Sequence, residues 1–337
     1  MEYSDQALKE LMRVDWRAGM LVQSAHMTHS QRRAEALFGL VADGLGLDPG
    51  ILVVDGVGEL IEVGAPRTVG ANLEFDVYLK RGIVAYCKNG QVVVIPRSAS
   101  VQSRVEYPAA GARATSLLLA ISDNAITPRS GGDGERTESK NAIESSIVCP
   151  VLASFSLLTT DAFENQSAAR VVPIALLQYD GRAMLPVAEY LPPVAQLSAI
   201  RCFDSAILKA IQSEFQGLAE QVEVLMAAGS GSAGQFGERL VQRHQDLSLL
   251  RSLLVAKQGM IEEIDSLSPS TLRREVCVPL SHWVRLYSRR VKRKELIGAS
   301  VALDNVTRSR LQVSSSELLT CLKDLLLACK MGLGEFA

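Results

Sequence analysis

The chain has 337 residues, 47% of them hydrophobic and 21% charged, the balance of a globular protein of about two domains with a sizeable core. Thirty-five basic against thirty-seven acidic side chains leave a net charge of −2, which excludes a surface built throughout for nucleic acid or an anionic membrane. The opening MEYSDQALKELM has neither a basic start nor an apolar stretch, so no signal peptide is expected. Runs such as SLLLAI fall far short of the ~20 residues of a membrane span. Six scattered cysteines, Cys87, Cys149, Cys202, Cys277, Cys321 and Cys329, form no C-x-x-C pair and suit a reducing compartment. The expected location is cytoplasmic.

The first half, to about residue 190, is strand-rich. Asp55-Gly56 lies between apolar runs at 51–54 and 57–63, Asn89-Gly90 between 83–88 and 91–95, and Asp180-Gly181 between 176–179 and 182–185. Asp-Gly and Asn-Gly accept the positive φ of a two-residue type I′ turn, so each predicts a β-hairpin. Residues 117–121 and 147–155 supply further strands, and the polar, Gly/Ser-rich stretch between them reads as a long exposed loop. Several hairpins with few helical signals predict a sandwich or open barrel.

After Pro192-Pro193 the period changes. Phe203, Ile207, Ile211, Phe215, Leu218, Val222 and Leu225 recur at helical spacing, the Gly229–Gly234 segment breaks the helix, and Leu240, His244, Leu247, Leu250, Leu254, Ile261 and Ile264 make a second stripe. Both stripes are narrow enough for coiled-coil seams, which suits a helical neck shared between chains. Ser268-Pro269 reads as an N-cap and first-turn proline, and Pro279 as the opening of a helix carrying Trp283, Leu286 and Tyr287. Ser314 and Glu317 have capping-box spacing ahead of Leu318, Leu322, Leu325 and Cys329. The fold class is α+β: an N-terminal segment (1–30), a β-sandwich-like shell domain (31–192), a helical-bundle neck (193–310) and a C-terminal stub helix (311–337).

Two stretches carry a family resemblance. Trp16, Gly19, Met20 and His26 resemble the opening motif of the TssK baseplate proteins of type VI secretion systems, with Ser24, Ala25 and Met27 where that family has proline, glutamine and phenylalanine. Tyr190-Leu191-Pro192-Pro193 is similar to the junction where that family passes from β-rich shell to helical neck, and His282-Trp283 with Leu286-Tyr287 resembles its last neck helix. The resemblance implies a non-enzymatic baseplate subunit, a homotrimer held through its shell by wedge proteins of the TssF and TssG kind, with no cofactor and no nucleic-acid partner. It also implies a head domain after the neck that meets the membrane complex. Here only a short helix follows, so membrane docking by this chain is not expected.

The competing chemistry is thin. His26 and His29 at i and i+3 could share a metal, but no cysteine or third histidine lies near them in sequence, and packing or a backbone hydrogen bond is the expected role of His26. Gly229, Gly231 and Gly234 match G-x-G-x-x-G by letter, yet a helical stripe and not a strand precedes them, so a helix–helix linker is expected in place of a phosphate loop. A metal- or nucleotide-dependent enzyme using either feature is the alternative. No G-x-S-x-G elbow occurs, and Glu262, Glu263 and Asp265 read as a solvated helix face. Arg289, Arg290, Lys292, Arg293 and Lys294 fall at a predicted helix C-terminus, where the macrodipole favours cations, or serve an acidic partner surface.

Overall fold

Apolar residues alternating along the strands and recurring every three or four residues along the helices build two units. A computed structural model describes residues 24–56, 59–87, 92–95, 101–108, 117–124, 152–159, 171–229, 238–291 and 314–333. One unit comprises residues 1–45 and 49–188, and the other 46–48 and 189–337. The class is α+β, as expected.

The first unit opens with helix α1 (Ser24–Gly44), which the sequence reading did not place. It ends in a turn where Gly46 takes φ +67°, a conformation that favours glycine. Phe38 on α1 meets Tyr86 edge to face, ring centroids 5.6 Å apart. The strands are β1 (Gly50–Val54), β2 (Ile61–Val63), β3 (Arg67–Val69), β4 (Asn72–Leu79), β5 (Ile83–Tyr86), β6 (Val92–Ile95), β7 (Val101–Pro108), β8 (Leu117–Asn124), β9 (Leu152–Leu158), β10 (Val171–Tyr179) and β11 (Met184–Pro186). They form three antiparallel sheets: β1-β5-β6, β11-β10-β8-β9, and β4 with β2, β3 and β7 around it. Strand β4 is the clearest amphipathic strand, with Leu73, Phe75, Val77 and Leu79 buried and the residues between them half-buried.

Of the three expected hairpins, the one at Asp55-Gly56 does not form. Strand β1 pairs with β5 (Ile51 opposite Ala85), and β2 pairs with β4 (Ile61 opposite Leu79). The turn is instead pinned across the chain: Asp55 N–H donates to Gly82 O at 2.9 Å, and the buried Arg81 guanidinium donates to the carbonyls of Asp55 and Gly56. Three bonds to a cation's neighbourhood outweigh the local hairpin preference of the dipeptide. Strands β5 and β6 do pair around the second dipeptide, Tyr86 opposite Val92. Asn89-Gly90 itself lies outside the described residues. Strands β10 and β11 also pair, but with Tyr179 opposite Met184 and Asp180 N–H donating to Ala183 O at 3.2 Å, the turn centres on Gly181-Arg182 and not on Asp180-Gly181. Asp180 braces this turn. Its Oδ1 accepts from the N–H groups of Arg182 and Ala183, both at 2.7 Å, while Gly181 takes φ +97°. Those two bonds, Ala183 first, hold its carboxyl below the usual range.

The second unit is helical. A 3-10 turn (Leu197–Cys202) leads to α2 (Ile207–Gly229), α3 (Glu238–Glu262), the short α4 (Pro269–Leu272), a π-helical turn (Arg273–Cys277), α5 (Val278–Val291) and α6 (Ser316–Leu333). Phe203 lies outside α2, as the C-cap of the 3-10 turn, because Asp204 starts the helix by accepting from the N–H groups of Ala206 and Ile207. On α2, Leu208, Ile211, Phe215, Leu218 and Val222 are buried. On α3, Leu247, Leu250 and Leu254 are buried, whereas His244 is exposed and does not belong to the stripe.

The pairing is antiparallel within one chain: Gln212 Nε2 donates to the carbonyls of Ile261 and Glu262 near the start of α2, and Arg251 to Glu223 near its end. Helix α6 packs on α2 and α5. The stripe expected to face partner chains is therefore filled by the chain's own helices.

Two helix boundaries also differ from expectation. Pro279 does not open a helix: α4, the π turn and α5 run on without a break. Proline has no N–H to give the carbonyl four residues back. The ladder widens just ahead of it, with Val278 N–H bonding Arg273 O, five residues back. Ser314 makes no capping box with Glu317. Its Oγ accepts from Ser316 N–H at 3.0 Å, because its own hydrogen goes to the Leu191 carbonyl.

Candidate functional site

The unit boundary falls at 188/189, and the residues just after it bond to three other stretches of the helical unit. Pro192 and Pro193 are buried and have no N–H, so the backbone bonding of this turn falls on Leu191. Leu191 N–H donates to Ser316 Oγ at 2.7 Å, and its carbonyl accepts from Ser314 Oγ at 3.0 Å and Ser315 N–H at 2.9 Å. Ser316 Oγ in turn donates to Glu189 O at 2.9 Å. The start of α6 thus clasps the proline turn from more than 120 residues away. Tyr190 stays half-exposed as a residue, while burial pushes its phenol up from its ordinary value.

A second clasp closes on the same stretch. Leu197 N–H donates to Leu267 O at 2.9 Å, just ahead of α4. Ser268 caps α4, its Oγ accepting from Thr271 N–H at 3.3 Å, with Pro269 at N1 as the sequence predicts. Asp48 reaches in beside it: Oδ2 accepts from Ser270 N–H at 2.6 Å, and Asp48 N–H donates to Ala195 O at 3.3 Å. Burial raises the Asp48 carboxyl, opposed by the Ser270 bonds and by the Arg273 guanidinium. Four stretches, 46–48, 189–197, 267–272 and 314–316, are joined by backbone and hydroxyl bonds. The hydroxyls of Ser268, Ser314 and Ser316 engage backbone groups of this node, while Ser315 Oγ is buried without a hydrogen-bond partner among the described residues.

The end of α5 is closed by aromatic packing. Trp283 Nε1 donates to Asp246 O at 3.0 Å, and Tyr287 stacks on Trp283 with centroids 5.1 Å apart. Tyr287 Oη donates to Gly332 O. Of the thiols, burial is the main cause pushing Cys277 up, and it pushes Cys329 up to about 12.

No protein-family model matches the chain, and no curated protein does. Solved structures do. A chain of the baseplate complex from the type VI secretion system matches with TM-score 0.52 and 14% identity, over 94% of this chain and 99% of that one. The fold is that of a type VI secretion baseplate chain. A crystal structure of TssK (TM-score 0.47, 14% identity, 96% of this chain and 72% of that one) matches less closely. So does TssK from the EAEC type VI system bound to a nanobody (0.47, 14%, 89% and 99%). At this identity the likeness is one of fold.

The baseplate-like motif residues divide in two. Tyr190, Pro192 and Pro193 sit in the clasped turn. Trp16, Gly19 and Met20 lie outside the described residues. His26 falls on α1 with His29, and among the described residues no group of three or more His, Cys, Asp or Glu could hold a metal. Gly229 ends a 23-residue helix, so the glycine segment follows a helix and lacks the strand a dinucleotide loop needs; the rest of that segment lies outside the described residues. The side chains of the basic run 289–294 lie outside them too. No helix among the described residues is long and apolar enough to cross a membrane. Sequence reasoning missed Asp48 and Gln212, whose partners are 222 and about 50 residues away. Only Ser268-Pro269 hinted that a cap was needed there.

Proposed function

We propose that this chain is a non-catalytic structural subunit of a type VI secretion baseplate, of the TssK kind, working on the cytoplasmic side. The observation that carries the reading is the baseplate-chain likeness, which spans 94% of this chain and 99% of that one. In this reading the β-rich unit is the shell and the helical unit the neck. The chain forms a homotrimer, and wedge proteins of the TssF and TssG kind hold the shell. The internal chemistry supports it: the strongly perturbed groups, Tyr190, Cys277 and Cys329, are perturbed chiefly by burial and not by a catalytic partner.

Co-expression with wedge proteins of the TssF and TssG kind from the same bacterium, followed by size-exclusion chromatography with light scattering, tests the proposal. The expected species is a stable complex containing three copies of this chain. A monomer that binds neither wedge protein, together with normal sheath assembly after deletion of its gene, would overturn it.

A further inference from the structure

Between α2 and α3 the helical unit has an open groove of about 780 Å³. Its lining runs from Gln212 to Val224 along α2, a stretch whose twelve rises of about 1.5 Å span about 18 Å of helix. The floor is apolar, with Phe215, Ala219 and Ile261, and the walls carry Val224 and Val255, 68% and 60% exposed. Exposed apolar side chains gathered along one groove, rather than scattered singly, mark an interaction surface.

The rim has one sign. Glu220, Glu223 and Glu262 line the groove, and no lysine or arginine does. Arg251 pairs with Glu223 from outside the lining. Among the described residues, Glu220 and Glu262 accept from the neutral amides of Gln216 and Gln258 and pair with no cation.

We propose that this groove is the docking site for a cationic amphipathic helix of a partner protein. Such a helix of about three turns matches the groove's length. It would place apolar anchors at i, i+4 and i+7 between Val224 and Val255, and lysines or arginines against Glu220 and Glu262. Charge complementarity selects this occupant over a neutral or acidic helix. The inference does not rest on the baseplate reading, since it uses only the groove's own lining.

The test places a photo-cross-linking residue at Val255 of the full chain in its source bacterium and sequences the peptide it captures. The expected adduct is a segment of another protein with helical apolar spacing and flanking lysines or arginines. Its yield should fall about tenfold in a Glu220→Lys/Glu262→Lys background, equivalent to about 1.4 kcal/mol. Circular dichroism of the charge-reversed chain must match the parent, which these exposed positions allow. An adduct to a second copy of this chain would overturn the proposal and make the groove a self-interface. A captured acidic segment, no adduct, or a yield indifferent to charge reversal would overturn it as well.

Discussion

Replacing Asp48 separates the two things that residue does, accepting a hydrogen bond and carrying a buried charge. Asp48→Ala removes the acceptor for Ser270 N–H at 2.6 Å and leaves a part-buried donor unpaired. A lost capping acceptor and an orphaned N–H each cost about 1–2 kcal/mol, and here they are the same event. With a urea slope of about 2 kcal/mol/M, the unfolding midpoint of the helical unit should fall by about 0.5–1 M. Asp48→Asn keeps an oxygen for Ser270 and discards the charge that burial penalises. It should match or exceed the parent near neutral pH.

The sign follows from the raised carboxyl. A group titrating higher in the fold than its ordinary 3.8 contributes stability at low pH that is lost as pH rises through the folded value. The parent should therefore gain on Asp48→Asn as the pH is lowered toward that range. Trp283, buried in this unit, reports the transition by fluorescence in a Trp16→Phe background. If Asp48→Asn is as damaging as Asp48→Ala, or its advantage does not change with pH, charge burial is not what governs this site.

Three further expectations follow from individual contacts. Ile211 is fully buried by the chain's own helices, so Ile211→Ala should cost about 2–5 kcal/mol in the helical unit, read as a lower melting temperature at any protein concentration. A methyl on Gly332 would meet Tyr287 Cε1 at 3.1 Å and Trp283 Cη2 at 3.6 Å, so Gly332→Ala should cost about 1–3 kcal/mol and shift the tryptophan emission. Cys329 should resist a thiol reagent at pH 8 until the chain unfolds, while half-buried Cys202 reacts before it; between the ordinary thiol value of 9.0 and about 12 the raised pKa also makes stability fall with pH, checked by urea titration at pH 9 and 11.

Much of the fold is written locally. The β-branched runs at β5 and β6, the stripes of α2 and α3, and Ser268-Pro269 each specify their element from within a few residues. Strand β4 is equally local, since Leu73, Phe75, Val77 and Leu79 alternate strictly with other residues. Pairing is another matter. Asp55-Gly56 favours a hairpin locally, but Arg81, 25 and 26 residues on, holds both its carbonyls, and nothing near the dipeptide announces that. The clasped proline turn shows the same limit. Its prolines are visible in sequence, while its partners, Ser314 and Ser316, lie more than 120 residues away.

The seam shows why periodicity settles the shape of a helix and not its partner. Leu208, Ile211, Phe215, Leu218 and Val222 step by three and four, as do Leu247, Leu250 and Leu254, and such a stripe fits a neighbouring chain as well as a neighbouring helix. What decides is connectivity. Only the eight residues 230–237 separate α2 from α3, and a short linker holds two such helices at an effective concentration of about millimolar. A second chain would have to exceed that to displace the intramolecular pair. The bonds from Gln212 to Ile261 and from Arg251 to Glu223 keep nearly one sum of residue numbers, 473 and 474, so the antiparallel register holds along the helices. An oligomer of this chain must then use surfaces left after that pairing. Ile211→Asp should therefore unfold the helical unit itself, and a variant that kept its helical content while losing only oligomeric mass would show that the stripe belongs to a partner after all.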